Sequence, residues 1–251
     1  MNIELERMAA AHWRGTEEQW LGDWLLRAAE GFTGRANSVL PLGDPGKPLD
    51  EALAVVTQWY RDRGLPPTIV VPLPLEADPA SLAFDRQLAE RDWHTRPGPA
   101  FVMVADLPLA IYLADLEEGR EVQTAAEPDD AWAAMYHYRG QDYLPPVAGK
   151  VLTSAEQQSF VSIREGGDVL AIARLSIAAG WAGIAAVEVN PAYRRQGLGV
   201  AITAAACREA AVNGISRVFL QVEVDNAGAR ALYERLGFSY SHRYHYRIAA
   251  S

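Results

Sequence analysis

The alternation of strand and helix signals between residues 181 and 248 constrains the fold of this chain more than any other feature. Trp181 to Val189 reads as a strand. Val200 to Val212 follows as an alanine-rich helix, stopped by Asn213-Gly214 as a left-handed cap pair. Val218-Phe219-Leu220-Gln221-Val222 has the look of a buried strand. Ala227 to Leu236 is a second helix ending at Gly237-Phe238, and Tyr240 to Ile248 alternates bulky and polar residues as a closing strand. A strand, a helix and another strand in sequence imply a right-handed parallel crossover. Upstream, Phe160 to Ile163 runs through Glu165-Gly166-Gly167-Asp168 into Val169 to Ile177, and Ala179-Gly180 turns the chain into Trp181. Those are hairpin signals, so the sheet opens as an antiparallel meander. The fold class expected for this half is α/β with a mixed sheet, and a helix over Asp129 to Tyr138 precedes it.

The N-terminal half repeats this grammar more weakly. Trp24 to Ala29 and Arg35 to Leu40 are expected to pair around a Gly31–Gly34 turn. Leu49 to Arg63 is an amphipathic helix, Thr68 to Val71 a strand, Ser81 to Arg91 a helix and Ala100 to Val104 a closing strand. Gly64 precedes its strand as Gly214 does, at an offset of 150, and Trp93 follows its helix as Phe238 does, at an offset of 145. Two offsets so close point to a duplicated module. The expected division is residues 1–118 and 119–251, with the junction near Glu117-Glu118-Gly119-Arg120.

A length of 251 residues with 49% hydrophobic and 22% charged residues is enough for one large core or two smaller ones and argues against disorder. The net charge of −9 speaks against a nucleic-acid partner, which needs clustered Lys and Arg, and suits a cationic amine better. Cys207 is the single cysteine, so an intrachain disulfide is impossible. Amid Ala204-Ala205-Ala206 it reads as a small core residue. The first residues have no signal-peptide character, and Leu175 to Val187 is too short to span a bilayer. A soluble, cytoplasmic protein without a membrane partner is the expectation.

Chemistry concentrates at Val187-Glu188-Val189-Asn190-Pro191-Ala192-Tyr193-Arg194-Arg195-Gln196-Gly197-Leu198-Gly199-Val200, where a strand runs into a basic, glycine-containing loop that opens a helix. Free N–H groups of a first helical turn, the helix dipole and two arginines make an anion site, most naturally for a pyrophosphate. The loop alone fits equally well a tight connection with solvated arginines. It lacks the Gly-Lys-Ser/Thr of a nucleotide-hydrolase loop and the third glycine of a dinucleotide fingerprint.

A second segment, Asn226-Ala227-Gly228-Ala229-Arg230-Ala231-Leu232-Tyr233-Glu234-Arg235-Leu236-Gly237-Phe238, sets the first in context. Together they resemble the GCN5-related N-acetyltransferase superfamily. Its (Arg/Gln)-x-x-Gly-x-(Gly/Ala) motif is matched by Arg194, Gly197 and Gly199. Its Asn-x-x-Ala-x-x-x-Tyr-x-x-x-Gly-Phe motif is matched by Asn226, Ala229, Tyr233, Gly237 and Phe238. The resemblance covers roughly residues 120 to 248. It implies acetyl-CoA as cosubstrate, with backbone groups of Val187 and Val189 holding the pantetheine arm. It also implies that N–H groups of Arg195, Gln196, Gly197, Leu198, Gly199 and Val200 hold the pyrophosphate. Asn226 would contact the coenzyme arm, and Tyr233 would protonate the departing thiolate; Tyr233 also fits a packed helix aromatic. The implied reaction is attack of a neutral amine on a polarised carbonyl, with an acid quenching the leaving group. The acceptor is expected to be a small-molecule amine, with a protein lysine or N-terminus, or a non-catalytic acyl-CoA sensor, as alternatives.

Glu188 is the first candidate for the base and Glu223 the second. Either also serves as an ordinary solvated or salt-bridged carboxylate, and many relatives use a water chain instead. No metal is expected, because His242 and His245 are three apart in a strand and so lie on opposite faces, and His12, His94 and His137 lack partners at ligand spacing. In the N-terminal half, Pro41-Leu42-Gly43-Asp44-Pro45-Gly46-Lys47-Pro48 stands where the coenzyme loop would be. Its prolines and Asp44 suit a pyrophosphate poorly. The Trp24–Arg27 and Gly31–Ser38 stretches resemble a tandem acetyltransferase group common in actinobacteria, some of whose members are described as N-acetylglutamate synthases. This half is then a scaffold or a wall of the substrate cleft. Arg27, Arg35 and Asn37 would bind an amino-acid carboxylate or, as the blander option, make surface and turn hydrogen bonds. A monomer or homodimer is expected.

Overall fold

The structure is a computed structural model that describes residues 3–76, 78–107, 117–136 and 144–250. The end of the expected helix Asp129–Tyr138, with His137, lies outside the described residues, as does 108–116 just before the expected junction. In chain order the elements are α1 (Ile3–Ala10), β1 (Glu17–Leu21), β2 (Trp24–Ala28), β3 (Leu40–Pro41), α2 (Leu49–Arg61), β4 (Thr68–Leu73), α3 (Ala83–Ala89) and β5 (Trp93–Asp106). They continue with β6 (Arg120–Ala125), α4 (Asp130–Met135), α5 (Pro146–Leu152), β7 (Gln157–Glu165), β8 (Asp168–Ala178), β9 (Trp181–Val189), α6 (Leu198–Val212), β10 (Arg217–Glu223), α7 (Ala227–Arg235) and β11 (Ser239–Ala249).

One sheet has eight strands in the order β4-β11-β5-β10-β9-β8-β7-β6, and a second has three in the order β1-β2-β3. All pairings in the large sheet are antiparallel except β9 with β10, which is the crossover made by α6. Among the described residues, one parallel bridge, Val39 with Ile69, ties the small sheet to the large one. Val39 N–H donates to the Thr68 carbonyl at 2.9 Å, and Val70 N–H to the Val39 carbonyl at 2.9 Å.

The centre of the large sheet holds the main surprise. β5 belongs to the N-terminal half, yet it lies between β10 and β11 of the C-terminal half, while β11 lies between β4 and β5. The order β4-β11-β5-β10 reads the same when the halves are interchanged, since β4, α3 and β5 in one correspond to β10, α7 and β11 in the other. Each half therefore completes its sheet with a strand of the other, which periodicity within one strand does not reveal.

One face of the sheets carries α2, α3, α6 and α7. There Leu170, Ala173, Ile184, Leu220 and Val222 pack on the small residues of α6, including Ala201, Ala205 and Cys207. Around α2, Trp24, Leu26, Ile69 and Val71 close on Val56 and Tyr60. Ala-rich α6 is apolar nearly all round, as a helix covered on most sides must be. The other face carries α1, α4, α5 and the 29–39 loop. Its core joins Trp13, Phe32 and Ala36 from the N-terminal half to Trp132, Phe160 and Ile172.

Two local expectations change. The segment 35–39 is not a strand: Asn37 accepts from the Ala29 and Gly31 N–H groups and donates to the Phe32 and Thr33 carbonyls, which folds it into a loop and leaves β2 to pair with β3. Strand β1, helices α1 and α5 and strand β6 were not expected at all. The histidines of β11 lie on opposite faces as anticipated. His242 meets Glu6 of α1 at 2.5 Å, and His245 meets Asp85 of α3 at 2.7 Å, where Arg247 also binds.

Candidate active site

The parallel pairing of β9 with β10 covers only Ala182–Ile184 against Val218–Leu220. Beyond it β9 stays with β8 as far as Val189 opposite Ala171, whereas β10 stays with β5 as far as Glu223 opposite Ala100. The two strands part like the arms of a V. Ala186, at φ 51°, marks an irregularity in β9 beside the shift of register opposite Ile172 and Arg174. Past this point the backbone of Ala185 to Val189 has no ladder with β10 and can bind an amide-bearing ligand instead. Val187 and Val189 pack towards α6, as does Tyr193.

The loop that follows is built for anions. Asn190 accepts from the Ala192 N–H at 3.0 Å and starts a short 3-10 turn, Pro191–Tyr193. Arg195 (φ 67°) and Gly197 (φ 77°) are both left-handed, so successive N–H groups converge into a concavity. Val200 and Ala201 are the first to bond back, both to the Gly197 carbonyl at 3.0 Å, which leaves the turn before them to a ligand. Arg194, Arg195 and Gln196 are exposed around it. The two motif glycines differ in purpose. A Cβ on Gly197 would meet nothing within 4 Å, so that position needs glycine for its backbone angle. A Cβ on Gly199 would stand 2.6 Å from Leu232 Cδ1, so that glycine admits α7 close to α6.

Arg120 of β6 is a residue that sequence reasoning missed. Its Nη2 donates to Gln196 Oε1 at 2.7 Å, while Glu117 and Glu165 hold the same guanidinium. It braces the loop from 76 residues away, a distance at which no local signal exists.

Across the V stands α7. Asn226 caps it, its Oδ1 accepting from Ala229 N–H at 3.1 Å. Its Nδ2 has no partner among the described residues. Tyr233 is 7% exposed and packs edge-on against Phe238, with ring centroids 5.9 Å apart. Its hydroxyl has no hydrogen-bond partner among the described residues, and it is not among the polar atoms sealed from solvent. Burial pushes its pKa up to about 12, so the phenol keeps its proton throughout the physiological range. Cys207 is also raised to about 12 by burial and is an unreactive core thiol.

Glu188 is half-buried and stands opposite Ile172, on the face away from α6. The N-terminal half covers this face, since Trp13, Phe32 and Ala36 share a cluster with Ile172, Ala185 and Ala186. Arg35 Nη1 donates to Gln221 Oε1 of β10 at 2.9 Å, and its guanidinium lies 4.2 Å from the Trp13 ring centre. Arg174, fully buried, reaches the same ring at 5.1 Å and donates to the Leu152 and His12 carbonyls, while its Nη2 has no partner among the described residues. Burial, then repulsion from Arg35, lowers Arg174 to about 9. Of the three N-terminal candidates, Arg27 is committed to the Ser38 carbonyl and hydroxyl and Asn37 to its loop, whereas Arg35 reaches β10 of the C-terminal half. Glu223, the other candidate base, is exposed at the far end of β10.

Comparison with known proteins agrees with this geometry. Residues 3–247 match the sequence family described as the C-terminal part of the probable histone acetyltransferase Rv0428c. The Mycobacterium tuberculosis protein of that description is 30% identical over 254 residues, covering 98% of this chain and 74% of the relative. A GCN5-related N-acetyltransferase from Kribbella flavida superposes with a TM-score of 0.70 over 100% of this chain and 94% of its own, at 19% identity. A tandem GNAT protein from the clavulanic acid biosynthesis pathway does so at 0.67 over 84% of this chain and 74% of its own, at 14% identity. The split β9–β10 pair, the left-handed glycine loop and a family match running through nearly the whole chain lead to one assignment: the chain belongs to the GCN5-related N-acetyltransferases and is an N-acetyltransferase.

Proposed function

We propose that the chain moves an acetyl group from acetyl-CoA to the primary amine of a small molecule. The observation that carries this reading is the cover over the acceptor side of the V. Trp13, Phe32 and Arg35 close over β9 and β10, where a protein substrate would need an open groove. When bound, acetyl-CoA supplies an activated acyl carbon. The chain's residues do the rest. N–H groups from Arg195 to Gly199 hold the pyrophosphate, that of Val200 being engaged by the Gly197 carbonyl, and backbone groups at Val187 and Val189 orient the arm and polarise the carbonyl. The Asn226 amide steadies the arm. Glu188 takes the proton from the attacking nitrogen, with Glu223 as the second candidate, and Tyr233 delivers the proton at its hydroxyl to the departing sulfur. The division into an N-terminal part that covers the acceptor (1–118) and a C-terminal part that does the chemistry (119–251) belongs to the same proposal.

A protein acceptor is the second reading, favoured by the name of the mycobacterial relative. Incubation with acetyl-CoA and a panel of amino acids, aminoglycosides and lysine peptides, followed by free-thiol release, separates the two. Release with one small amine and none with peptides is expected; release with peptides alone overturns the proposal.

A further inference from the structure

The symmetry of the central strands places a counterpart of the coenzyme slot in the N-terminal half, between β3 and β4 and beside the start of α2. Val39 and Ile69 make the one bridge there, and the chain then leaves β3 through 42–48 into α2, as β9 leaves through 190–197 into α6. A cleft of about 510 Å³ opens at this place, within the ~300–1,000 Å³ usual for small-molecule sites. Its floor is apolar: Trp24, Leu42 and Val71 are 2%, 6% and 1% exposed, with Leu49 and Phe84 at the sides.

The phosphate-binding features are gone. Pro45 and Pro48 donate nothing, α2 is capped by Pro48 without a side-chain bond, and its first turn carries Asp50 and Glu51. The charges at the rim are distributed unevenly. Asp44 accepts from Gly46 N–H, Asp23 from Asp44 N–H, and Asp50 binds Arg91. Lys47, exposed on the rim, has no carboxylate partner among the described residues. Among the described residues that line the cleft, Lys47 alone carries a charge, so an apolar floor with a cation at its mouth suits an amphiphile with a single negative head.

We propose that this cleft binds a straight-chain monocarboxylate of medium length, with its chain over Trp24, Leu42, Val71 and Phe84 and its carboxylate at Lys47. The site is separate from the acetyl-transfer site and does not depend on which amine is the acceptor.

Calorimetric titration of the full chain with hexanoate, octanoate, decanoate and 1-octanol, at saturating coenzyme A, tests the proposal. Each added methylene should tighten binding about fourfold. Leu49→Trp, which fills the cleft with apolar volume, should abolish binding while leaving coenzyme A affinity unchanged. Lys47→Glu, on the exposed rim, should weaken octanoate at least tenfold and leave octanol unaffected. The proposal is overturned by an absence of saturable binding in the presence of coenzyme A, by Leu49→Trp binding like the parent, or by octanol binding as tightly as octanoate.

Discussion

Replacing Tyr233 with Phe removes one oxygen and little else. The ring keeps its edge contact with Phe238, and the lost hydroxyl has no partner among the described residues, so no group is left unsatisfied. Near neutral pH the folded protein should therefore be as stable as the parent within about 0.5 kcal/mol. Turnover should fall about 10²–10⁴-fold, the usual contribution of a positioned acid, while coenzyme affinity stays within about twofold. Stability in alkali supplies a second readout. The unfolded phenol ionises near 10, whereas the folded one resists until about 12. Between those values the unfolded chain has lost a proton that the native one retains, so stability falls as pH rises. Two pH units correspond to about 3 kcal/mol, and Tyr233→Phe should be spared this share of the alkaline loss. Denaturant titrations of both proteins at pH 8 and at rising pH above 10, with steady-state kinetics at pH 8, provide the test. A variant that retains more than a third of its turnover, or that loses coenzyme binding with it, refutes the role of Tyr233 as acid. Parallel alkaline curves refute its burial as the cause of the shift.

Three further perturbations probe the frame around the site. Gly197→Ala adds a Cβ that touches nothing but forces φ 77° on an L residue, so thermal denaturation should report a loss of about 1–2 kcal/mol, and KM for acetyl-CoA should rise. His12 is lowered to about 4, by burial first and then by Arg174, so it stays neutral while the unfolded imidazole takes a proton below 6.5. Stability should therefore drop as pH falls from 6.5 towards 4, and His12→Gln should flatten that part of the pH–stability curve. A fragment 119–251 lacks β5, so the facing edges of β10 and β11 have no strand between them. It should be insoluble or lack cooperative unfolding alone and become soluble when co-expressed with 1–118.

The sequence was most readable where the constraint is local. Gly197 and Gly237 occupy positions dictated by a left-handed angle, and they marked the loop and the stop of α7; the capping role of Asn226 came only with the structure. The β9–α6–β10 crossover followed from element order alone. What stayed hidden depends on pairing across the chain. The place of β5 is set by β10 and β11, more than 100 residues away, and its own residues carry the same alternation in either sheet. Arg120, Trp13 and Gln221 were missed for the same reason, since each matters only through a side chain from another part of the fold. Asn37 was noticed but misplaced: its amide closes a loop where alternation had suggested a strand.

The exchange of β5 and β11 also bears on how such a chain changes over generations. A duplicated copy that merely sat beside its twin could be deleted without harm to the survivor. Here removal of either half takes away a strand that the other needs, so selection acts on the two together. The Pro41–Pro48 loop is linked to β2 and lies outside β4, β5, β10 and β11, so substitutions there leave the exchanged strands intact.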